Sequence, residues 1–403
     1  MENQTVTCLS LPMQEVVRCE KGKECEYYLN EELMTDEEGK PLSEAKVQSY
    51  VSSLVRSFCL PTDNVVLLAG SGASVVSDNS GTINLKYGLT MKELREEVFK
   101  GLDCKSQDGK TYNFSQLARM ISFPVQKDDT NLEEFLSALI ESEVFIKKGK
   151  KKYAKTIEAI LDIIISKTSY DYDPKIFKHA VLIQVLSALV KRPNRLSVVT
   201  TNYDTLFEDA ADSIDFTVFD GFNFTHTPKF NVDMFDWSLA KSVSNIRSSK
   251  MEYKNSIINL LKIHGSLTWM RDGNGNVVRK EKKEIQNPLM IFPSSSKYRQ
   301  SYENPYFELL SKFQELLKMQ NTVLITTGFS FADNHISQMI FRAVKHNPGL
   351  SILVCDYSLE QANKCQNWKE LIQLQKDGFR IGFCKATLDK NLTSVFESGD
   401  VYD

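Results

Sequence analysis

Apolar residues in this chain fall into two patterns that alternate along its length. Short continuous runs bounded by turn formers stand at 65–68 (VVLL), 257–263 (IINLLKI), 322–327 (TVLITT) and 350–354 (LSILV). Runs of this length read as strands buried on both faces. The stretch 196–207, LSVVTTNYDTLF, opens with a β-branched run, breaks at Asn202-Tyr203-Asp204, and resumes at Thr205 with a capping-box pattern ending at Glu208. It predicts a strand, a polar turn and a helix start. Shorter strands are expected at 216–219, 289–293 and 379–383.

Between these runs the apolar spacing is helical. Residues 43–59, 306–319, 333–345 and 358–375 each predict one helix, and 90–99, 114–120, 132–145, 153–167 and 174–190 predict a mostly helical block. Residues 1–43 are polar with little period and are expected to form an extended arm or small accessory layer. The segment 220–256 is aromatic-rich and irregular, and RDGNGN at 271–276 signals a hairpin.

Strands alternating with helices predict an α/β fold: a Rossmann-like, mostly parallel sheet with helices on both faces and a helical insertion lobe. The expected division is an N-terminal arm at 1–43 and an α/β domain at 44–403, with the insertion at about 90–191. Parallel strands would bring four polar or glycine-rich ends, 70–74, 200–204, 264–266 and 328–330, to one sheet edge, where ligands of such sheets bind.

Composition changes this picture little. A net charge of −3 over 403 residues argues neither for nor against a nucleic-acid partner. The basic run 147–155 (KKGKKKYAK) is the one lead for an anionic partner, against the plainer reading of a solvated helix–helix loop. The eight cysteines never stand two residues apart, so no CxxC zinc knuckle is expected. The first ten residues have no apolar core, so no secretion signal is read and reduced thiols in a cytosol are expected. No apolar run is long enough to span a bilayer.

The strand ends carry the candidate chemistry. A buried strand running into Gly70-Ser71-Gly72-Ala73-Ser74 is the first half of a phosphate-cradling loop, although the full GxGxxG pattern is not met and a tight strand–helix turn has the same sequence. His264 ends a strand, and the glycine after it leaves room beside the ring. Its ordinary pKa suits general base work, while a histidine at such a place is often structural. Asn202 alone is a turn former.

Four motifs in one chain order, AGSGAS, TTNYD, KIHGS and TGFSFADNHI, resemble the sirtuin-like NAD-consuming domain of bacterial antiphage defence proteins. The resemblance runs from about residue 64 to 383, and the overall size is similar to the stand-alone sirtuin-like subunit that partners a HerA-type ATPase. It implies that Gly70, Ser71, Gly72 and Ser74 line the pyrophosphate and ribose, and that Thr201 belongs to the same NAD site. Asn202 is implied to contact the nicotinamide ribose and position the attacking water, and Asp204 to fix the loop or the nicotinamide pocket. His264 is implied as the general base, and Gly328 and Ser330 as contacts of the adenosine-side phosphate and ribose. Asp356 would accept a ribose hydroxyl, unless it is a plain helix cap.

The chain departs from protein-deacylating sirtuins in lacking a four-cysteine zinc ribbon and their GIPDFR continuation, 75–81 reading VVSDNSG. The resemblance therefore implies an NAD glycohydrolase that releases nicotinamide and ADP-ribose with water as acceptor and no zinc, acting in antiphage defence. Its expected setting is the cytoplasm, as a homo-oligomer with a HerA-type ATPase and with nucleic acid involved at most indirectly. The alternatives are a deacylase, an ADP-ribosyltransferase and a nucleotide-sensing scaffold subunit.

Overall fold

The computed structural model describes residues 4–21, 24–60, 62–78, 81–124, 132–243, 251–285, 287–291, 303–360 and 364–397. The strands are β1 (Gln4–Leu11), β2 (Gln14–Lys21), β3 (Glu24–Leu29), β4 (Glu32–Leu33), β5 (Asn64–Ala69), β6 (Leu196–Thr200), β7 (Thr217–Phe219), β8 (Ala240–Ser242), β9 (Met251–Tyr253), β10 (Ile257–Lys262), β11 (Trp269–Arg271), β12 (Val277–Arg279), β13 (Thr322–Thr327), β14 (Leu350–Asp356) and β15 (Ile381–Lys385). Eleven of them form one sheet in the order β4-β3-β2-β1-β15-β14-β13-β5-β6-β10-β7. From β15 to β7 all neighbours are parallel, and β1 to β4 extend the other edge antiparallel. This is the α/β, Rossmann-like, mostly parallel arrangement that the alternation of elements predicts.

Eleven helices among the described residues surround the sheet. They are α1 (Glu44–Cys59), α2 (Met91–Lys105), α3 (Phe114–Met120), α4 (Leu132–Ser142), α5 (Lys150–Thr168), α6 (His179–Leu189), α7 (Leu206–Asp212), α8 (Tyr306–Lys318), α9 (Asn334–His346), α10 (Gln366–Lys376) and α11 (Leu392–Phe396). Alternation along β5 shows how the two faces fill. Val65, Leu67 and Ala69 join one core with residues of α1, α6, α7 and α11. Val66 and Leu68 join the other with residues of α8, α9 and α10. Fully buried side chains such as Leu67 and Leu324 each stabilise the fold by about 1.5–3 kcal/mol. Helices α2 to α5 share a separate core around Phe99, Phe114, Phe135 and Tyr153 and form a lobe between β5 and β6, whereas α6 packs on the sheet.

Several local expectations need revision. The polar 1–43 stretch is largely strand, and among its described residues Leu9, Leu11, Val16, Tyr27 and Met34 are the buried ones. The capping box at Thr205 does not form: Thr205 Oγ1 donates to Asp209 at 2.7 Å, and Glu208 turns instead to Lys262. Helix α7 still starts at Leu206, whose amide donates to Asp204 Oδ1 at 3.1 Å. Most of the basic run belongs to the first turns of α5, after Gly149. Residues 289–291 make only an isolated bridge between Met290 and Gly265, and 292–293 lie outside the described residues. The 220–256 segment contains a 3-10 turn (Val232–Asp236) and the β8–β9 hairpin, with 244–250 outside the described residues. The β11–β12 hairpin forms as expected, with Asp272 accepting from the amides of Asn274 and Asn276 at 2.8 and 2.9 Å.

Register decides what the sheet presents at its carboxyl edge. Thr200 pairs with both Ala69 and Lys262, Ala69 pairs with Thr327, and Thr327 with Cys355. The glycine turn, the TTNYD turn, the IHGS turn and the GFSF turn therefore leave the sheet from one row. Strand order also reverses at β5, with β6 and β10 on one side and β13 to β15 on the other, which opens a crevice at this edge.

Candidate active site

Two of the turns are locked backbone to backbone. The amide of Gly70 donates to Thr327 O at 3.0 Å and that of Gly72 to Gly328 O at 3.1 Å. A Cβ on Gly70 would lie 2.5 Å from Gly328 O, and Gly328, at φ +60°, would place one 2.2 Å from Ala73 N. Neither position admits a side chain without moving the other loop. Gly70, Gly72, Ala73 and Ser74 all spend their amides on backbone carbonyls. What this turn offers to a ligand is thus chiefly Ser71, because the Ser74 hydroxyl bonds Asn202 and Asp204.

Asn202 is wired into the same turn. Its backbone amide donates to Thr200 Oγ1 at 3.0 Å, and its Nδ2 donates to Gly70 O at 3.0 Å and Ser74 Oγ at 2.9 Å. Gly70 O can only accept, so the side-chain nitrogen must face it and the amide orientation is fixed. Ser74 passes its own proton to Asp204 Oδ2 at 2.7 Å. Both donor hydrogens of Asn202 are therefore used within the protein. What the side chain can give a ligand is its carbonyl oxygen, an acceptor suited to a hydroxyl or a water.

Beneath this turn lies a buried lysine. Lys262, 1% exposed, ends β10 and sends Nζ under the 201–204 turn, where it donates to Asp204 O and to Tyr203 O and pairs with Glu208 at 2.9 Å. Burial pushes the Glu208 carboxyl up, and Lys262 draws it back. The available signal was a charge inside the otherwise apolar run IINLLKI. Tyr203 adds a second tie, its hydroxyl donating to Ile291 O at 2.5 Å.

His264 follows one turn later. Gly265 holds φ +90°, and a Cβ there would sit 2.2 Å from Leu289 O, so the sharp turn after the histidine requires glycine. Ile291 N donates to His264 O at 2.8 Å, and the ring Nε2 lies 3.5 Å from Asp333 Oδ2. Asp333 caps α9, its Oδ1 accepting from His335 N and Ile336 N at 3.1 and 3.2 Å. From the sequence Asp333 reads only as a helix start.

These turns line a cleft that holds about 880 Å³ with its open solvent included. Gly70, Ser71, Ser74, Thr201, Asn202, Asp204, His264, Gly328 and Ser330 line it. Gly72 and Asp356 do not. Gly72 packs against Gly328, where a Cβ would lie 2.7 Å from Gly328 Cα. The Asp356 carboxylate accepts from Lys364 Nζ at 2.7 Å and from Ser358 N at 3.0 Å, and Lys364 sits over the Trp368 ring. Leu89, Met91, Leu94, Thr168 and Tyr170, from the lobe and its borders, complete the wall. No single-sequence signal marks which ends of a helical insertion face the sheet edge. Among the described lining residues there is no Lys or Arg, while Asp204 and Asp333 both contribute. Among the described residues no group of three His, Cys, Asp or Glu could hold a metal, and no helix is long and apolar enough to cross a membrane.

Behind the site, His179 begins α6 with neither ring nitrogen hydrogen-bonded. Burial keeps the ring neutral and pulls its pKa down to about 4, against a weaker upward pull from Asp204. The unfolded chain takes up this proton near pH 6.5 and the folded chain only near 4, so folding loses stability as pH falls through that window. The loss is about 3 kcal/mol at this residue. His179→Leu is expected to remove that part of the slope in urea unfolding between pH 7 and 4; an unchanged slope would show that His179 does not cause it.

Residues 196–375, from β6 into α10, match the family model described as the SIR2-like domain. No curated protein matches the chain. The matched stretch contains TTNYD, KIHGS and TGFSFADNHI; the glycine turn precedes it. The similarity supports a sirtuin-like domain here, with a sirtuin-related, NAD-using function.

Proposed function

We propose that the cleft hydrolyses NAD to nicotinamide and ADP-ribose. The observation that carries this is the convergence of Asn202, with its carbonyl oxygen as the group left for a ligand, and His264 on one wall of a cleft lined by serine hydroxyls and carboxyl groups. Ser71 and Ser330 hold the pyrophosphate and adenosine-side ribose, and the closely packed Gly70 and Gly328 set the loop spacing between them. The nicotinamide ring of NAD is cationic, so a cleft with Asp204 and Asp333, and with no Lys or Arg among its described lining residues, suits it electrostatically.

The reaction breaks the bond between ribose C1′ and the ring nitrogen, and the electron pair leaves with nicotinamide. Positive charge passes to the ribose, as in glycoside cleavage generally. Asn202 Oδ1 accepts a hydrogen bond from the ribose hydroxyl or the incoming water and fixes its position. Water adds to C1′, and His264 takes its proton. Nicotinamide leaves neutral, so no acid is needed.

The test is purified protein with NAD, with and without acyl-lysine peptide or an acceptor protein. Hydrolysis predicts equal nicotinamide and ADP-ribose at a rate indifferent to the acceptor. Release that depends on the acceptor would overturn hydrolysis in favour of deacylation or ADP-ribosyl transfer. The resemblance of the motifs supports extending the proposal to NAD depletion in antiphage defence, as a cytoplasmic homo-oligomer with a HerA-type ATPase. Co-expression with such an ATPase followed by size-exclusion chromatography tests that extension, which two separate peaks would contradict.

A further inference from the structure

We infer that Asp333 is the positioning residue of His264: it fixes the orientation of the imidazole. The inference rests on the hydrolase reading for its kinetic meaning, but its geometry stands alone. His264 Nε2 and Asp333 Oδ2 are 3.5 Å apart, with side chains 11% and 13% exposed. At that exposure the attraction between carboxylate and imidazolium is screened far less than at an open surface. The carboxylate is itself held in place. Its Oδ1 accepts two backbone amides at the N-terminus of the 13-residue α9, an end that favours negative charge. Carboxylate, ring and cleft therefore form a fixed series: α9 sets Asp333, Asp333 sets His264, and His264 faces the ligand.

Other ionisable groups near the ring are committed elsewhere. From the 201–204 turn, Asp204 accepts from Ser74 Oγ and Leu206 N, and the Tyr203 hydroxyl donates to Ile291 O. From the lobe side, the Tyr170 hydroxyl donates to Lys167 O at 2.8 Å. On the ring's own strand, Lys262 is bound to the two turn carbonyls and Glu208. His335, two residues along α9 from Asp333, gives its amide to the cap. Among the described residues Asp333 is the one that brings a carboxylate oxygen within 4.0 Å of the His264 ring.

Asp333→Asn separates this role from helix capping, because asparagine caps a helix about as well as aspartate but carries no charge. The His264 ring-proton signals, assigned by their loss in His264→Asn, are compared by NMR at one pH in wild type and in Asp333→Asn. Loss of the orienting carboxylate is expected to shift these signals, and kcat should drop about tenfold with KM little changed, less than the roughly 10²–10⁴-fold that general base catalysis as a whole contributes. Unchanged ring-proton signals overturn the inference whatever happens to activity. Shifted signals with kcat unchanged also overturn it, since the carboxylate would then not serve the reaction. Should wild type consume no NAD, the hydrolase reading fails, while the NMR comparison still decides whether Asp333 sets His264.

Discussion

Replacing Lys262 by methionine is expected to lower the unfolding free energy by about 3 kcal/mol, the low end of the cost of removing one partner from a buried ion pair. The low end applies because the Glu208 side chain retains 24% exposure and can take up a proton, its pKa already being raised by burial. Methionine keeps the apolar stem but leaves Asp204 O without its lysine donor, while Tyr203 O still accepts from Leu267 N at 3.1 Å. The 201–204 turn should loosen, and nicotinamide release should fall along with stability. Lys262→Met combined with Glu208→Leu should recover part of the stability, because an apolar pair replaces a charged one. Urea midpoints of the two single variants and the double variant measure this. Independent, additive losses would show that Lys262 and Glu208 do not act as a pair.

Asn202→Ala is expected to cut nicotinamide release at least about 100-fold, comparable to losing one polar group positioned for the transition state. The effect on stability should be much smaller. Asn202 gives hydrogen bonds to Gly70 O and Ser74 Oγ, and Ser74 keeps its bond to Asp204 in the variant. Losing such neutral bonds costs about 1–2 kcal/mol. A large kinetic loss with a small stability loss is the pattern of a residue that acts on the ligand. A stability loss matching that of Lys262→Met would instead make Asn202 a structural pin of the glycine turn.

The sequence made the sheet edge readable because each strand that ends there is buried on both faces. Val65–Leu68, 257–263 and 322–327 show unbroken apolar runs, and their common register follows once they are parallel. The N-terminal strands hide for the opposite reason. They cover one edge of the sheet with few apolar residues, and polar ones such as Arg18, Glu20 and Glu24 interrupt any alternation. Asn202 and His264 stood out at strand ends. Lys262 was concealed in an apolar run, and Asp333 behind its ordinary role as a cap. Thr205 and Glu208 show how tertiary contacts override a local motif: a buried lysine nearby draws the glutamate away from the helix start. The lobe's share of the cleft, from Leu89 to Tyr170, depends on how two cores meet, which apolar spacing does not encode.

The proposed reaction depends on Asn202 and His264 acting together on NAD in this cleft. The most direct measurement is the rate of nicotinamide and ADP-ribose formation from NAD alone by wild type, Asn202→Ala and His264→Asn, each first shown to be folded by circular dichroism. The prediction is equimolar products from wild type and at least about 100-fold less from either variant. NAD turnover by both variants at the wild-type rate, or none by wild type, would contradict it.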